Sequence, residues 1–256
     1  VSFGGAQSLA SLSVTAESIT QSAALTVSGT TTLVAASTGT ITLDNASNDF
    51  QGSVTVTSAN NASLRDTNAL SLAGAAVTTN LTLQAGDAVT QTAAISGSGL
   101  ELLGAGPYTL TTPANAFTTL AANTTGTISY RDTNGLTVGT VNTVGITTTA
   151  DDVQLQSSTL SIDDNISLGA ADLGINNSGA VTQVAGDTIS ASGLALTGTG
   201  TVTLTDSGNA ITTIAANAGE TISYRDSDGL TVGAVTVLAA TTTGITTTAD
   251  DVQLQS

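Results

Sequence analysis

TISYRDTNGLTV, Thr127 to Val138, returns almost unchanged as TISYRDSDGLTV, Thr221 to Val232, and a looser copy, ASLRDTNALSL, occupies Ala62 to Leu72. The three positive side chains of the protein, Arg65, Arg131 and Arg225, all fall in this phrase. Around it lie further copies: LSVTAESITQ from Leu12, LTLQAGDAVTQ from Leu81 and LGINNSGAVTQ from Leu173. GITTTADDVQLQS occurs twice without a change, at Gly145 to Ser157 and Gly244 to Ser256. Self-similarity of this kind is the signature of a repeat architecture. It divides the chain into copies at about 12–80, 81–172 and 173–256.

The spacings say what kind. In the ITQ/VTQ signature, Ile19, Val89 and Val181 precede Arg65, Arg131 and Arg225 by much the same distance. The step from arginine to the next signature is not constant: Arg131 to Val181 is about twice as long as Arg65 to Val89. The excess is close to one complete unit, so the chain lengthens by whole units, as a solenoid does when one coil is added. Within each unit, ITL (Ile41 to Leu43), VTV (Val54 to Val56), LTL (Leu81 to Leu83) and VTL (Val202 to Leu204) alternate apolar and polar residues at period two. Clusters such as DNASND, SGSG and TGTG carry the turn chemistry between them. A sandwich or barrel gains nothing from copying such a unit. The fold expected is all-β, a right-handed parallel β-helix or β-solenoid, with about 22–24 residues per coil, about eleven coils and almost no helix. At a cross-strand spacing of about 4.8 Å the rod is about 50 Å long.

Composition agrees with a folded rod. Hydrophobic residues make up 40% of 256, mostly small or β-branched, against 9% charged and 2% aromatic. That is too apolar for a disordered chain. A net charge of −16 argues against nucleic acid, whose phosphates need basic clusters, and keeps the object soluble. Absence of Cys and His removes thiolate and imidazole metal sites. No apolar run is long enough for a membrane-spanning helix, and membrane insertion is not expected. Nothing reads as an initiator Met or signal segment, and the chain reads as a single continuous solenoid, 1–256, cut from something longer.

ITLDNASNDFQGSVTV, SLRDTNALSL, NLTLQAGDAVTQTAAISGSG and GLALTGTGTVTL resemble the repeat regions of filamentous haemagglutinin-like exoproteins. The resemblance covers nearly the whole chain and implies a β-helical shaft of a very long bacterial surface protein exported by two-partner secretion. The secretion domain of that family, with its NPNG-type motifs, is not among these residues.

Several residue groups are candidate sites. The recurring pair Arg65-Asp66, Arg131-Asp132 and Arg225-Asp226 reads as a repeated binding dyad or, preferably, as a structural corner: a strand, a charged pair, an Asn/Asp-Gly turn and the next strand. In that corner the arginine is expected to bond turn carbonyls and neighbouring carboxylates. The paired acids Asp151-Asp152, Asp163-Asp164 and Asp250-Asp251 could ligate calcium but read as solvated turns. TxT at Thr40/Thr42, Thr55/Thr57 and Thr201/Thr203 raises an ice-binding face, which needs the motif at one position on nearly every coil. Without His, Lys or Cys, acid–base and nucleophilic chemistry have few players, so no enzyme, catalytic residue, metal or cofactor is expected.

The expected role is the structural shaft of an extracellular, cell-surface bacterial protein, an adhesin or filament stalk. Its partners would be further covalent repeats or copies of itself, stacked end to end or side by side. A self-assembling subunit of an extracellular fibre or sheath is the alternative, and an ice-binding solenoid a minor one.

Overall fold

The computed structural model describes residues 1–112, 114–248 and 250–256. No helix occurs among them. Strand pairs with parallel strand from end to end, apart from the hairpin of Ala234–Val237 with Ala240–Thr243 and a single bridge between Thr140 and Val144. The protein is a parallel β-helix whose coils stack strand on strand, with long strands such as Ile95–Gly104 and Ile189–Gly198 running from one ladder into the next.

One ladder runs through Leu12–Ala16, Thr31–Ala35, Val54–Ala59, Leu70–Val77, Ile95–Gly104, Ala116–Thr124, Gly135–Val138, Thr159–Ile162, Val181–Gln183, Val202–Leu204, Ile222–Arg225 and Val252–Gln255. These twelve strands make about twelve coils, a rod about 58 Å long at about 4.8 Å per coil. Coil length varies. Leu120 to Val138 is among the shortest steps and Ile128 to Val153 among the longest, while Ile222 to Val252 is longer still because the hairpin is inserted there.

Most coils are shorter than the repeat spacing leads one to expect. Ile19, Ile41 and Ala62 stack, as do Val89, Tyr108 and Ile128, and Val181, Val202 and Ile222. Each arginine lies further along the last strand of its stack. The signature-to-arginine distance is therefore two coils plus a short advance along the strand, and dividing it by two overstates the coil. The longer middle copy does contain one additional coil.

The copies are related in a way that spacing does not reveal. Ile19 lies three coil steps below Leu81 through Ile41 and Ala62, and its sequence equivalent Val89 stands one face further round. Val89 lies four steps below Leu173 through Tyr108, Ile128 and Val153, and its equivalent Val181 is again one face on. A sequence repeat is three or four coils plus the step to the next strand of the coil. Neighbouring copies therefore stand on different ladders, while the third returns to the ladder of the first: Gln183 lies in the same column as Ile19, through Ile162, Val138, Leu120, Leu100, Leu81, Ala62 and Ile41.

The interior is one unbroken apolar column from Leu12 to Tyr224. Alternation drives it: in Asn80–Ala85 and Val153–Ser157, every second residue is buried and its neighbours lie at the surface. Val, Ile, Leu and Ala fill most of the column. Tyr108, Tyr130, Tyr224, Phe50 and Phe117 are its bulkiest members, so five of the protein's six aromatic residues are core residues. A second small cluster, Ala195 and Ala215 with Val235 and Val237, lies outside the column where the hairpin covers the wall.

Candidate functional site

The recurring charged pair sits at the end of a strand, where alternation turns its two members opposite ways. Asp66, Asp132 and Asp226 point inward and are 2%, 3% and 4% exposed. Each reaches across to the coil below. Asp132 Oδ2 accepts from the Phe117 amide at 2.8 Å and the Tyr130 hydroxyl at 2.6 Å, while Oδ1 accepts from the Asn134 amide at 2.8 Å. Asp226 repeats this with Ile211 (3.0 Å), Tyr224 (2.6 Å) and Asp228 (3.1 Å). Asp66 accepts from Phe50 and Asn68, both at 2.8 Å, and has no tyrosine, since Leu64 holds that position.

The missing hydroxyl matters for charge. Burial pushes the carboxyl of Asp66 up, and the nearby charge of Asp49 adds to this against two amide donors. Asp226 feels the same burial, but the Tyr224 hydroxyl and the Ile211 and Asp228 amides outweigh it and hold the carboxyl below its ordinary range. The phenols answer in the opposite sense: burial, then the carboxylate, pushes Tyr130 and Tyr224 far up.

A second polar element, not anticipated from the sequence, adjoins each aspartate. Asn48, Asn115 and Asn209 are 0% exposed. Asn115 Oδ1 accepts from Gln91 Nε2 (2.7 Å) and the Ile95 amide (3.0 Å), and its Nδ2 donates to Gln91 Oε1 (2.8 Å), Leu110 O (3.0 Å) and Arg131 O (3.1 Å). Gln21 and Asn48, and Gln183 and Asn209, exchange the same pair of bonds. The residue after each aspartate closes the unit, with the Thr67, Thr133 and Ser227 amides donating to the Asn48, Asn115 and Asn209 carbonyls. Gln, Asn and Asp on three consecutive coils thus form one polar corner, present three times. The signal was in the sequence: Gln of ITQ/VTQ, Asn of NDF, NAF and NAI, and Asp of the RD pair.

The arginines stand outside this corner. Arg65 and Arg131 are half-buried and Arg225 is exposed. Arg131 and Arg225 enter the network through their backbone carbonyls. The three guanidinium groups make no hydrogen bond or ion pair among the described residues, a departure from the expected bonds to turn carbonyls and carboxylates. The cause is again alternation, which puts the cation on the face opposite its neighbouring acid. Each arginine instead lines a surface cleft, of about 220 Å³ at Arg65, 310 Å³ at Arg131 and 640 Å³ at Arg225.

The paired acids act as acceptors for neighbouring loops. Asp152 takes the Asp172 amide (3.0 Å) on one oxygen and the Leu238 amide at the hairpin tip (2.7 Å) on the other. Asp163 accepts from the Ser161 hydroxyl and Asp164 from that of Thr140 (2.7 Å). The Asp250 carbonyl accepts from the Thr247 hydroxyl at 2.9 Å. No group of three or more acidic, His or Cys residues among the described residues is disposed to hold a metal. The threonine columns are mixed with other polar residues, a long one running through Thr119, Thr137, Ser161, Thr182, Thr203 and Ser223. Thr42 leads to Ser63, Thr82 and then Glu101, while Thr40 beside it leads to Asn61. Thr55 stacks on Thr32, and Thr203 lies between Thr182 and Ser223.

Excursions from the coil occur at one point of the repeat. Copy two carries the strap 139–145, held where Glu101 accepts from Thr82 Oγ1 (2.9 Å), Asn142 Nδ2 (2.7 Å) and the Thr143 amide (2.9 Å). Copy three carries the Ala234–Thr243 hairpin, and in copy one the strand Leu70–Val77 continues past this point with only a shift of register between Leu72 and Ala75.

A family model described as repeats of unknown function (DUF5649) matches residues 1–57 and 59–124, a little under half of the chain. No curated protein and no solved structure matches it. Matched repeats and the stacked coils agree: the chain is a repetitive β-helical protein.

Proposed function

We propose that this chain is the structural shaft or fibre-forming segment of an extracellular bacterial surface protein, an adhesin or filament stalk of the filamentous haemagglutinin-like type. One observation carries the reading: about twelve coils share one unbroken core and one backbone ladder along the long axis, and the recurrent polar groups are spent on holding coil to coil. Such an object supplies length and stiffness. A pull along it is resisted by many parallel hydrogen bonds, and a protease meets few free loops. The likeness of repeat texture to exported shafts supports the cell-surface setting, and the acidic, sparsely charged surface suits an object that must stay dispersed.

A second reading is end-to-end assembly into a fibre or sheath, since the coils already stack on one another through a continuous parallel ladder that a further copy could extend.

Negative-stain electron microscopy of the chain over a concentration series tests both. Discrete rods of twelve-coil length, about 58 Å at about 4.8 Å per coil, support the shaft. Filaments that lengthen with concentration support assembly, and compact particles of neither form would defeat both readings.

A further inference from the structure

Arginine is the sole source of side-chain positive charge here, yet the fold makes no use of the three guanidinium groups. The adjacent acid does not neutralise them in contact: both oxygens of Asp132 are engaged inside, by Asn134, Phe117 and Tyr130. In a chain of net charge −16, solubility gives no reason for a cation at this one repeat position. The surroundings recur too. Directly above each arginine, in register on the next coil, stands a glutamine: Gln84 above Arg65, Gln156 above Arg131 and Gln255 above Arg225. At Arg131 the cleft is completed by Thr133, Ser158, Asn176 and Ser178.

We infer that the Arg131 cleft is a binding site for a carboxylate carried on a hydroxylated molecule, that is, a sugar acid. The unengaged guanidinium fork matches a carboxylate in bidentate fashion. The Gln156 and Asn176 amides and the Ser158 hydroxyl both donate and accept, as sugar hydroxyls require, and the Thr133 and Ser178 hydroxyls, which donate to the Asn115 and Ser158 carbonyls, keep lone pairs to accept. A volume of about 310 Å³ is that of a small-ligand pocket and suits about one ring. A long polyanion does not suit the rod, because its remaining charges would meet the protein's own carboxylates.

The clefts at Arg65 and Arg225 share the cation and the glutamine. The three clefts occupy two ladders: Arg131 stands on one of its own, whereas the strand of Arg225 stacks back, coil by coil, onto the strand of Arg65. Their separations along the axis are about 16 Å and about 21 Å at about 4.8 Å per coil. This inference goes beyond the shaft reading and does not depend on it.

The test is an NMR titration of the ¹⁵N-labelled chain with D-glucuronate, with D-glucose and acetate in parallel. The expected result is a saturable shift of the Arg131 Nε–H and Gln156 amide signals with glucuronate, none with glucose, and at least tenfold weaker binding of acetate. Arg131→Gln should weaken glucuronate binding at this cleft at least tenfold and leave the melting temperature unchanged. Arg131→Lys, which keeps the charge but loses the fork, should fall between. No saturation, an equal response to glucose, or equal affinity for acetate would overturn the site. So would self-association in sedimentation that disappears in Arg131→Gln without any glucuronate binding, since the occupant would then be a second copy of the chain. Intact rods without binding would sink this inference and leave the shaft standing.

Discussion

Gln91 and Asn115 face each other on adjacent coils and exchange two amide hydrogen bonds, of 2.7 and 2.8 Å. The pair closes a buried corner in which the Asn115 side chain satisfies two further backbone carbonyls and one backbone amide. A buried polar group left without partners costs about 1–3 kcal/mol, so the value of this asparagine lies in what its removal would orphan.

Asn115→Ala is therefore expected to destabilise the protein by about 3 kcal/mol or more, with Asn48→Ala and Asn209→Ala close behind. Urea denaturation followed by circular dichroism measures this. A loss under about 1 kcal/mol would show that water replaces the amide and that the corner is not a buried network.

The charged pair should divide cleanly. Arg131→Gln is expected to change stability by no more than about 0.5 kcal/mol, as for a surface side chain without partners. Asp132→Ala, which strips acceptors from two amides and a phenol, should cost about 3 kcal/mol. Comparable losses from the two substitutions would mean that the guanidinium contributes to the fold after all.

Acid should act differently on Asp226 and Asp66. The folded carboxyl of Asp226 titrates below its usual 3.8, so its stabilising contribution is present above about pH 4 and disappears as the pH falls through the lowered value. Tyr224→Phe removes one cause of the lowering and should cost about 1–2 kcal/mol at pH 7. That cost should shrink markedly near pH 2, and a cost independent of pH would sever the link between phenol and carboxylate. Asp66, raised by burial and lacking a phenol, has the opposite sign: its protonated form favours the fold, and this contribution is lost as the pH rises through the raised value.

Two glycines with the same backbone conformation should tolerate substitution unequally. Gly145 and Gly169 both have positive φ, 64° and 62°, so alanine costs about 1 kcal/mol at either through backbone strain. At Gly145 a Cβ would also lie 2.1 Å from the Asn165 carbonyl oxygen on the next coil, whereas at Gly169 the nearest atom is 3.8 Å away. Gly145→Ala should thus lower the melting temperature clearly more than Gly169→Ala. Equal shifts would show that the coil above Gly145 gives way.

The sequence determined by itself that this protein is a β-helix. Period-two alternation in segments such as Leu81–Leu83 and Val202–Leu204 sets which side chains enter the column, and near-verbatim copies require equivalent coils. The additional coil of the middle copy was legible too, because a solenoid lengthens only by whole turns. Register decided the rest, since it fixes which residues from different coils become neighbours. It placed Gln91 against Asn115, turned Asp132 inward to Phe117 and left Arg131 outside. It also set Arg131 on a different ladder from Arg65 and Arg225. The physical reason is that a residue of a solenoid takes its neighbours from the coils above and below, a full turn away along the chain, so local propensity leaves them open.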